Sequence, residues 1–444
     1  MSEALPPPIE LAREPGARSE EEFQTEVRAQ LRRNYLSHLC HGLLGQTGFR
    51  LLNAPTFIPT YFELLSGSPF YAGLARALQS FGMFVSPILG ATVIEHRRRV
   101  LPVGFAVGAG MRVQVLCLGL AGLLLTGTWS LAASLAFLTL FGFFLGMQGV
   151  IFNFLVSKVI PVERRGFLLG LRNALAGITA TSVGILGGVL VERQALGNGH
   201  AATFLVAFVL TALGLCALLF VREPESPRVR EPSRIRDRLR DLPALLRSDP
   251  DFTRYFIARA LATMGRMSVP FYILYAGTRT PVGGTELGWL TGAFVASQSV
   301  FNLGWGLLAD RWGFRLVFVS AVSLWMATGF VLMSATTFGM LVVVFSALGA
   351  GLGGFQLSAQ NLVLEFGSRH NLPLRIAVAN SSSELVGAIG PLLGGALAVW
   401  VSFVSVFWTA IAFQAAALWM VLRHVREPRR KPAEGGRAVS RRRT

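Results

Sequence analysis

Arginines within apolar stretches are the residues of this sequence best suited to binding chemistry. Arg50 stands in the run GQTGFRLLNAP, and if that run is helical, Gln46 and Asn53 lie on the same side as Arg50. Arg266 stands in a second apolar stretch. A guanidinium group offers a planar fork of donors that binds a carboxylate or phosphate through two hydrogen bonds. The same charges could instead join helices through a buried glutamate or backbone carbonyls, and both interpretations stay open.

Further polar residues recur three or four positions apart inside apolar stretches, which places them on single helical faces. Glu384 is the only acidic residue near the middle of such a stretch, so it is the candidate proton-coupling residue. A permanent ion pair with Arg50 or Arg266 would prevent that role, and this alternative stays open. The predicted substrate-binding residues are Gln46, Arg50, Asn53, Arg266, Gln298, Asn302, Gln356, Gln360 and Asn380.

Other kinds of site are disfavoured by the residues present. His38, Cys40 and His41 lie close together, but the chain has only 3 cysteines and no CxxC pair, so we predict no metal and no cofactor. A Walker A motif is absent from the sequence, which argues against an ATP-driven pump. No Ser-His or HxxxD-type set is present either, and we therefore predict that the chain is not an enzyme.

The elements that position these residues are long apolar segments. The chain has 444 residues, of which 52% are hydrophobic and 15% charged, and its mean hydropathy is +0.53. Soluble domains carry about 25% charged residues, so this composition indicates a polytopic membrane protein. A helix needs about 20 apolar residues to cross a bilayer. Twelve runs of this kind, numbered here as spans 1 to 12, cover residues 35–62, 70–94, 100–125, 129–157, 166–190, 201–221, 253–277, 285–308, 316–334, 338–362, 374–398 and 402–421.

The longest connection between spans is rich in arginine and divides them into six plus six. Part of it, RIRDRLRDLPALLR, has the pattern of an amphipathic helix on the membrane surface. The predicted organisation is a polar cytoplasmic tail over 1–33, a six-helix bundle over 34–221, a cytoplasmic linker over 222–252, a second six-helix bundle over 253–425 and a disordered basic tail over 426–444.

The distribution of basic residues predicts the orientation. Of the 41 lysines and arginines, 32 fall in segments that are cytoplasmic if both termini are, 7 lie in or at the edges of spans, and only Arg193 and Arg279 fall in external segments. The positive-inside rule therefore predicts that both termini are cytoplasmic. The net charge of +17 then reflects membrane insertion, and no nucleic-acid partner is expected. We expect a monomer in the bilayer of an inner membrane.

Landmark residues repeat between the halves at constant offsets, which indicates a duplicated six-helix unit. Arg50 lies roughly 15 residues, or about 22 Å, into span 1, near the middle of the bilayer. A charge at that depth costs about 2.5–3.5 kcal/mol, so it must face a partner or a water-filled cavity. The repeated pairs are Arg50 with Arg266 and Gly90 with Gly306 at 216 residues, and Asn173 with Asn380 and Gly187 with Gly394 at 207 residues.

The segment GLLADRWGFR, between spans 8 and 9, resembles the G-x-x-x-D-R-x-G-R signature of the major facilitator superfamily. Its glycine allows two helices to approach closely, and its aspartate can cap a helix or pair with arginines to latch one state of a gate. The corresponding segment ATVIEHRRR, between spans 2 and 3, has a glutamate in place of the aspartate and lacks the second glycine. The predicted gate residues are Glu95, Arg97, Arg98, Gly306, Asp310, Arg311, Gly313 and Arg315.

The resemblance implies an all-α membrane protein with twelve transmembrane helices in two pseudo-symmetric six-helix bundles. In such transporters, helices 1, 2, 4, 5, 7, 8, 10 and 11 surround the pathway. The organic phosphate antiporters of the superfamily use one arginine each from helices 1 and 7, which correspond to Arg50 and Arg266 here. GPLLGG in span 11 matches an antiporter motif, but span 5 has only VGILGG, so antiport and symport both stay open.

The function that follows is secondary active transport of a small organic solute by alternating access. We expect the solute to be anionic and its transport to be coupled to protons or to exchange. The alternative is proton-coupled efflux of lipophilic drugs, which Glu384 and the 33 phenylalanines and 8 tryptophans would suit. A membrane-embedded enzyme or a non-transporting receptor is the second alternative.

Overall fold

The structure is a computed structural model, and it describes residues 20–226, 250–365 and 372–425. Within those ranges all regular secondary structure is helical. Most of the predicted linker, with its predicted surface helix, and the predicted basic tail lie outside the described residues, as do residues 1–19 of the N-terminal tail.

The first half of the chain forms six spans that follow a short amphipathic helix, Glu20–Ala29. Span 1 consists of two helices, and a 3-10 turn over Ala217–Phe220 extends span 6. The bounds are Leu31–Asn53 and Phe57–Ser66 for span 1, Pro69–Glu95 for span 2, Leu101–Leu124 for span 3, Gly127–Val159 for span 4, Val162–Glu192 for span 5 and Gly199–Cys216 for span 6.

The second half repeats this arrangement. Its first span is again interrupted, here by a 3-10 turn over Gly265–Ser268, and a 3-10 turn over Val363–Glu365 extends span 10. The bounds are Pro250–Met264 and Phe271–Arg279 for span 7, Gly284–Trp312 for span 8, Phe314–Ser334 for span 9, Phe338–Leu362 for span 10, Leu372–Trp400 for span 11 and Phe403–His424 for span 12.

Interruptions and polar residues distinguish the spans that line the centre. Of the helices in the described ranges, nine are long and apolar enough to cross a membrane, and spans 1, 7 and 8 are not among them. Span 1 breaks at Ala54, whose backbone is extended because it precedes Pro55, a residue that disfavours helix before it and lacks an N–H. The uninterrupted runs predicted for spans 1 and 7 are therefore wrong in detail. Arg50 lies shortly before the break at Ala54, and Arg266 lies within the 3-10 turn that interrupts span 7.

The two bundles meet along two pairs of helices, span 2 with span 11 and span 5 with span 8. A Cβ added to Gly188 would overlap the carbonyl oxygen of Gly284, and one added to Gly73 would overlap that of Pro391. These glycines allow backbone contact between the bundles at the end that is predicted to be external. Gly304 and Gly306, near the other end of span 8, have no atom within 4 Å of an added Cβ. Among these glycines, the close contacts between the bundles therefore lie at the predicted external end.

Candidate functional site

A cavity of about 250 Å³ lies between the two bundles. Spans 1 and 2 line it from the first half, and spans 7, 8, 10 and 11 line it from the second. Gln356 and Gln360 line it and are exposed to solvent, and both lie in the half of span 10 nearer its predicted cytoplasmic end. The cavity is therefore open on the side opposite the glycine contacts.

Four arginines line this cavity, and one glutamate accompanies them. Arg50 and Arg266 come from the interrupted spans 1 and 7, Arg76 comes from span 2, and Arg259 lies two helical turns before Arg266. Four positive side chains against one carboxylate leave a formal excess of three positive charges in the lining. In a site of low dielectric constant, such an excess attracts an anion strongly.

The Arg50 side chain bridges the two halves. Its Nη1 donates a hydrogen bond of 2.6 Å to the hydroxyl oxygen of Ser299 in span 8, and its Nη2 donates one of 3.1 Å to the carbonyl oxygen of Asn173 in span 5. Ser299 in turn donates to the carbonyl oxygen of Val295. Two of the five donors of Arg50 are therefore already used by the protein.

Arg76 is held by amide side chains of its own half. Its Nη1 donates to Asn53 Oδ1 at 2.9 Å and to Gln79 Oε1 at 2.8 Å, and Gln79 Nε2 donates to the same Asn53 oxygen at 3.4 Å. These contacts orient the guanidinium through neutral amide groups, and Glu384 is the acidic residue of the lining that interacts with its charge.

Arg259 and Arg266 retain donors that the protein does not satisfy. Arg259 is 6% exposed, its Nη2 donates to Asn380 Oδ1 at 3.0 Å, and its Nε and Nη1 are buried without a hydrogen-bond partner. The Arg266 side chain forms neither a hydrogen bond nor an ion pair with any described residue. The buried Arg259 donors are costly to leave unpaired, so a ligand that accepts hydrogen bonds would be favoured here.

Glu384 faces the same space from span 11. A Cβ added to Gly387 would lie 3.6 Å from Arg266 Nη1, 3.6 Å from Ser80 Oγ and 3.9 Å from Glu384 Oε2, so these side chains surround one point of the cavity wall. Glu384 Oε2 is buried and has no hydrogen-bond partner. In the part of the chain that the structure describes, Glu384 forms no ion pair with Arg50 or Arg266.

The other predicted binding residues divide into two groups. Gln298, Gln356 and Gln360 line the cavity together with Arg50, Asn53 and Arg266. Three predicted residues are outside its lining: Gln46 is half-buried, Asn302 has a buried Oδ1 without a partner, and Asn380 holds Arg259.

The sequence-based site omitted Arg76, Arg259 and Gln79. Arg76 lies in the first turns of span 2, which begins at Pro69, and its side chain lines the cavity. The pattern contained a signal for Arg259, because a spacing of seven residues puts it on the same helical face as Arg266. Arg76 had no such signal, since its equivalent at an offset of 216 is Gly292.

The predicted gate residues lie at and beyond the predicted cytoplasmic ends of spans 2 and 8 and at the start of span 9. Asp310 and Arg311 are exposed, and Asp310 has no ion pair within the described ranges. Gly313 has a φ of 88°, which favours glycine and allows the turn from span 8 to span 9. Arg315 Nη2 donates to the carbonyl oxygens of Val421 and Leu422 at the end of span 12.

In the first half, the equivalent loop follows Glu95, the last residue of span 2. Arg97 Nε donates to the carbonyl oxygen of Val93, and the carbonyl oxygen of Arg98 accepts from Lys158 Nζ at 2.5 Å. These contacts join the loop to the bundle and leave Arg97 exposed.

Two further arginines of the first bundle are structural. Arg172 is buried: its guanidinium lies 3.9 Å from the ring centre of Phe152 and its Nη2 is 3.3 Å from His41 Nδ1. Arg112 Nε and Nη1 donate to the carbonyl oxygens of Thr211 and Gly108. Among the described residues, no three His, Cys, Asp or Glu side chains lie close enough together to hold a metal ion, and His41 is therefore not part of such a group.

The Major Facilitator Superfamily family model matches residues 42–279 and 255–443. Multidrug resistance protein MdtG of Citrobacter koseri is 25% identical over 388 residues, covering 84% of this chain and 91% of that protein. A multi-drug resistance efflux pump PmrA homolog of Lactococcus lactis is 26% identical over 391 residues, covering 81% of this chain and 90% of that protein.

Solved structures share the fold at low identity. A mutant of the nucleoside transporter NupG has a TM-score of 0.68 at 12% identity, covering 89% of this chain and 99% of that one. The xylose transporter XylE from E. coli, in a partially occluded inward open conformation, has a TM-score of 0.67 at 11% identity. The match covers 91% of this chain and 100% of that one. With twelve spans in two bundles around a polar cavity, and with a family model that matches most of the chain, this protein belongs to the Major Facilitator Superfamily.

Proposed function

We propose that this superfamily transporter moves a small organic anion across the inner membrane, with both termini in the cytoplasm. The observation that supports the proposal is the set of four arginines with a single glutamate around one cavity. Charges at mid-membrane are costly and persist where they serve a ligand or a pathway. A carboxylate or phosphate would neutralise part of the excess charge and accept hydrogen bonds from the unpaired donors of Arg259.

Arg50 and Arg266 act in this proposal as a clamp with one arm from each bundle. Because the bundles move relative to each other during alternating access, an anion held by both arms stabilises the state in which they are close. The tight glycine contacts at one end and the open cavity at the other support an inward-facing arrangement of the described structure.

Glu384 is the proposed coupling residue. Its Oε2 is buried without a hydrogen-bond partner, and among the described residues no ion pair holds its carboxylate, which supports this role. If the empty carrier can return only after Glu384 has bound a proton, transport is coupled to protons. If it can return only with a second substrate in the site, transport is an exchange.

Substrate screening with matched solutes tests the proposal. Thermal stabilisation of the purified protein is measured with organic phosphates, mono- and dicarboxylates, their neutral amides or alcohols, and lipophilic cations. The hits are then tested for uptake into proteoliposomes. Stabilisation by an anion and not by its neutral analogue is expected, whereas a transported neutral or cationic solute would contradict the anion assignment.

Efflux of lipophilic drugs is the second candidate, and two observations favour it. The relatives above are named as multidrug resistance and efflux proteins. The cavity also has an apolar side, which includes Phe49, Met83, Phe294 and Phe355. Under this function, lipophilic cations would stabilise the protein through Glu384 and the aromatic rings, and Arg266→Gln would leave their binding intact or strengthen it.

A further inference from the structure

A second concave surface lies at the edge of the first bundle, away from the central cavity. It is a groove of about 660 Å³ between the amphipathic helix Glu20–Ala29, the start of span 1 and the start of span 5. We call it the basic groove. Its lining residues are Arg28, Ala29, Leu31, Arg32, Tyr35, Leu36, Arg164 and Phe167.

The charges in the basic groove are not used by the protein. Arg28, Arg32 and Arg164 are exposed, and their side chains form no hydrogen bond or ion pair with any residue in the described ranges. Their sequence neighbours behave differently, since Arg33 Nε donates to the carbonyl oxygen of Phe220 and Arg165 Nε to that of Ile160. No acidic side chain is among the lining residues, all of which the structure describes.

The rest of the lining is apolar and lies where a bilayer would meet it. Leu36 is 53% exposed and Phe167 is 69% exposed, and both are within the first turns of membrane spans. Tyr35 supplies an amphipathic ring of the kind enriched at the membrane–water interface. Basic side chains above an apolar wall match a molecule with an anionic head and acyl chains.

We propose that the basic groove binds one anionic phospholipid of the surrounding leaflet. The headgroup phosphate lies among Arg28, Arg32 and Arg164, and the acyl chains run along Leu36 and Phe167. The amphipathic helix forms one wall and packs on the bundle through Phe23 and Val27, which are 8% and 2% exposed. A bound lipid therefore joins this helix to spans 1 and 5. The proposal does not depend on the identity of the transported solute.

Lipid retention by the purified full-length protein tests the proposal. Native mass spectrometry and thermal stabilisation are measured with phosphatidylglycerol, with phosphatidylcholine of the same chains, and with glycerol 3-phosphate. We expect one phosphatidylglycerol to be retained preferentially. The triple variant Arg28→Gln, Arg32→Gln, Arg164→Gln should lose affinity for it by on the order of a hundredfold, since each basic residue contributes about fivefold.

Matched variants distinguish a specific lipid site from general electrostatic attraction between anionic lipids and exposed arginines. Arg164→Gln should weaken phosphatidylglycerol binding, whereas Arg423→Gln, an equally exposed arginine at the same predicted membrane side, should not. Phe167→Ser should weaken lipid binding as well. The proposal is overturned if the triple variant retains the lipid, if Arg423→Gln acts like Arg164→Gln, or if glycerol 3-phosphate binds as tightly as the lipid, which would indicate a soluble anion.

Discussion

Arg50 in span 1 donates a hydrogen bond to the hydroxyl of Ser299 in span 8, across the boundary between the two bundles. Its counterpart in the repeat, Arg266, donates no side-chain hydrogen bond to any residue that the structure describes. Two arginines that occupy equivalent positions in the sequence are therefore unequal in this conformation. One joins the bundles directly, and the other is available to a ligand.

Substitution of the two arginines should have different consequences. Arg266→Lys should lower affinity for the anion about ten- to a hundredfold, the effect of losing one charge-assisted contact of about 1.5–3 kcal/mol, with little change in Tm. Arg50→Lys should lower both affinity and Tm, because it also loses the contacts with Ser299 and Asn173. Binding titrations and melting curves on the same preparations measure both.

A structural arginine provides the control for this pair. Arg112→Lys should lower Tm and leave affinity unchanged, since Arg112 is bound by carbonyl oxygens within the first bundle and does not line the cavity. If Arg50→Lys and Arg266→Lys both behave like Arg112→Lys, the two arginines are structural and the clamp is wrong. In the double variant the affinity losses should be non-additive, because both arms hold one ligand.

The hydrogen bond between Arg50 and Ser299 should bias the conformational equilibrium. Ser299→Ala should favour states in which spans 1 and 8 are apart, and the shift should be about 1.5–3 kcal/mol for a contact with a charged donor. Ser297→Ala is the matched control, because Ser297 donates to the carbonyl oxygen of Ser346 within the second bundle. Distance distributions between spin labels on the two bundles report the shift, and identical distributions for both variants would contradict it.

Glu384→Gln should separate exchange from accumulation. Without a titratable carboxyl, the variant should exchange substrate across proteoliposomes but fail to concentrate it in response to a proton gradient. Glu63→Gln is the control, since Glu63 lies in the second helix of span 1 and does not line the cavity. Unchanged accumulation and unchanged pH dependence in Glu384→Gln would place the coupling site elsewhere.

Asp310 should matter for transport and not for the stability of the described state. It is exposed and makes no ion pair within the described part of the chain, so Asp310→Asn should leave Tm in detergent unchanged. Transport should fall, because the latch would form only when the predicted cytoplasmic ends approach. Asp310→Glu should restore part of the flux, and wild-type flux in Asp310→Asn would remove the latch role.

The sequence predicted the membrane fold well because hydrophobic runs and the repeat offsets report burial in lipid directly. It placed Arg50 and Arg266 by the same logic, since a midplane charge must face inward. It did not indicate Arg76, because a single arginine in the first turns of a span is as compatible with a headgroup as with a cavity, and no arginine occupies the equivalent position in the second half. The sequence pattern also does not indicate that Arg172 is buried, because its partners His41 and Phe152 come from other spans.

The glycine contact between spans 5 and 8 provides the sharpest structural test. A methyl group at position 188 would overlap the backbone of Gly284 in the other bundle, so Gly188→Ala must push the bundles apart at their closed end. Overpacking of this kind costs about 1–3 kcal/mol. Gly170→Ala is the matched control in the same span, because no atom lies within 4 Å of its added Cβ, and it should be neutral or slightly stabilising.

The readout is access to the cavity from the predicted external side. Ser80 lines the cavity and is 3% exposed, so Ser80→Cys serves as the reporter once the three native cysteines are replaced by serine. Gly188→Ala should raise its labelling rate with a membrane-impermeant thiol reagent about five- to a hundredfold, the range that corresponds to 1–3 kcal/mol. Gly170→Ala should not change the rate. Equal labelling of both variants would show that this glycine contact does not control access, and labelling only from the opposite side would reverse the predicted membrane orientation.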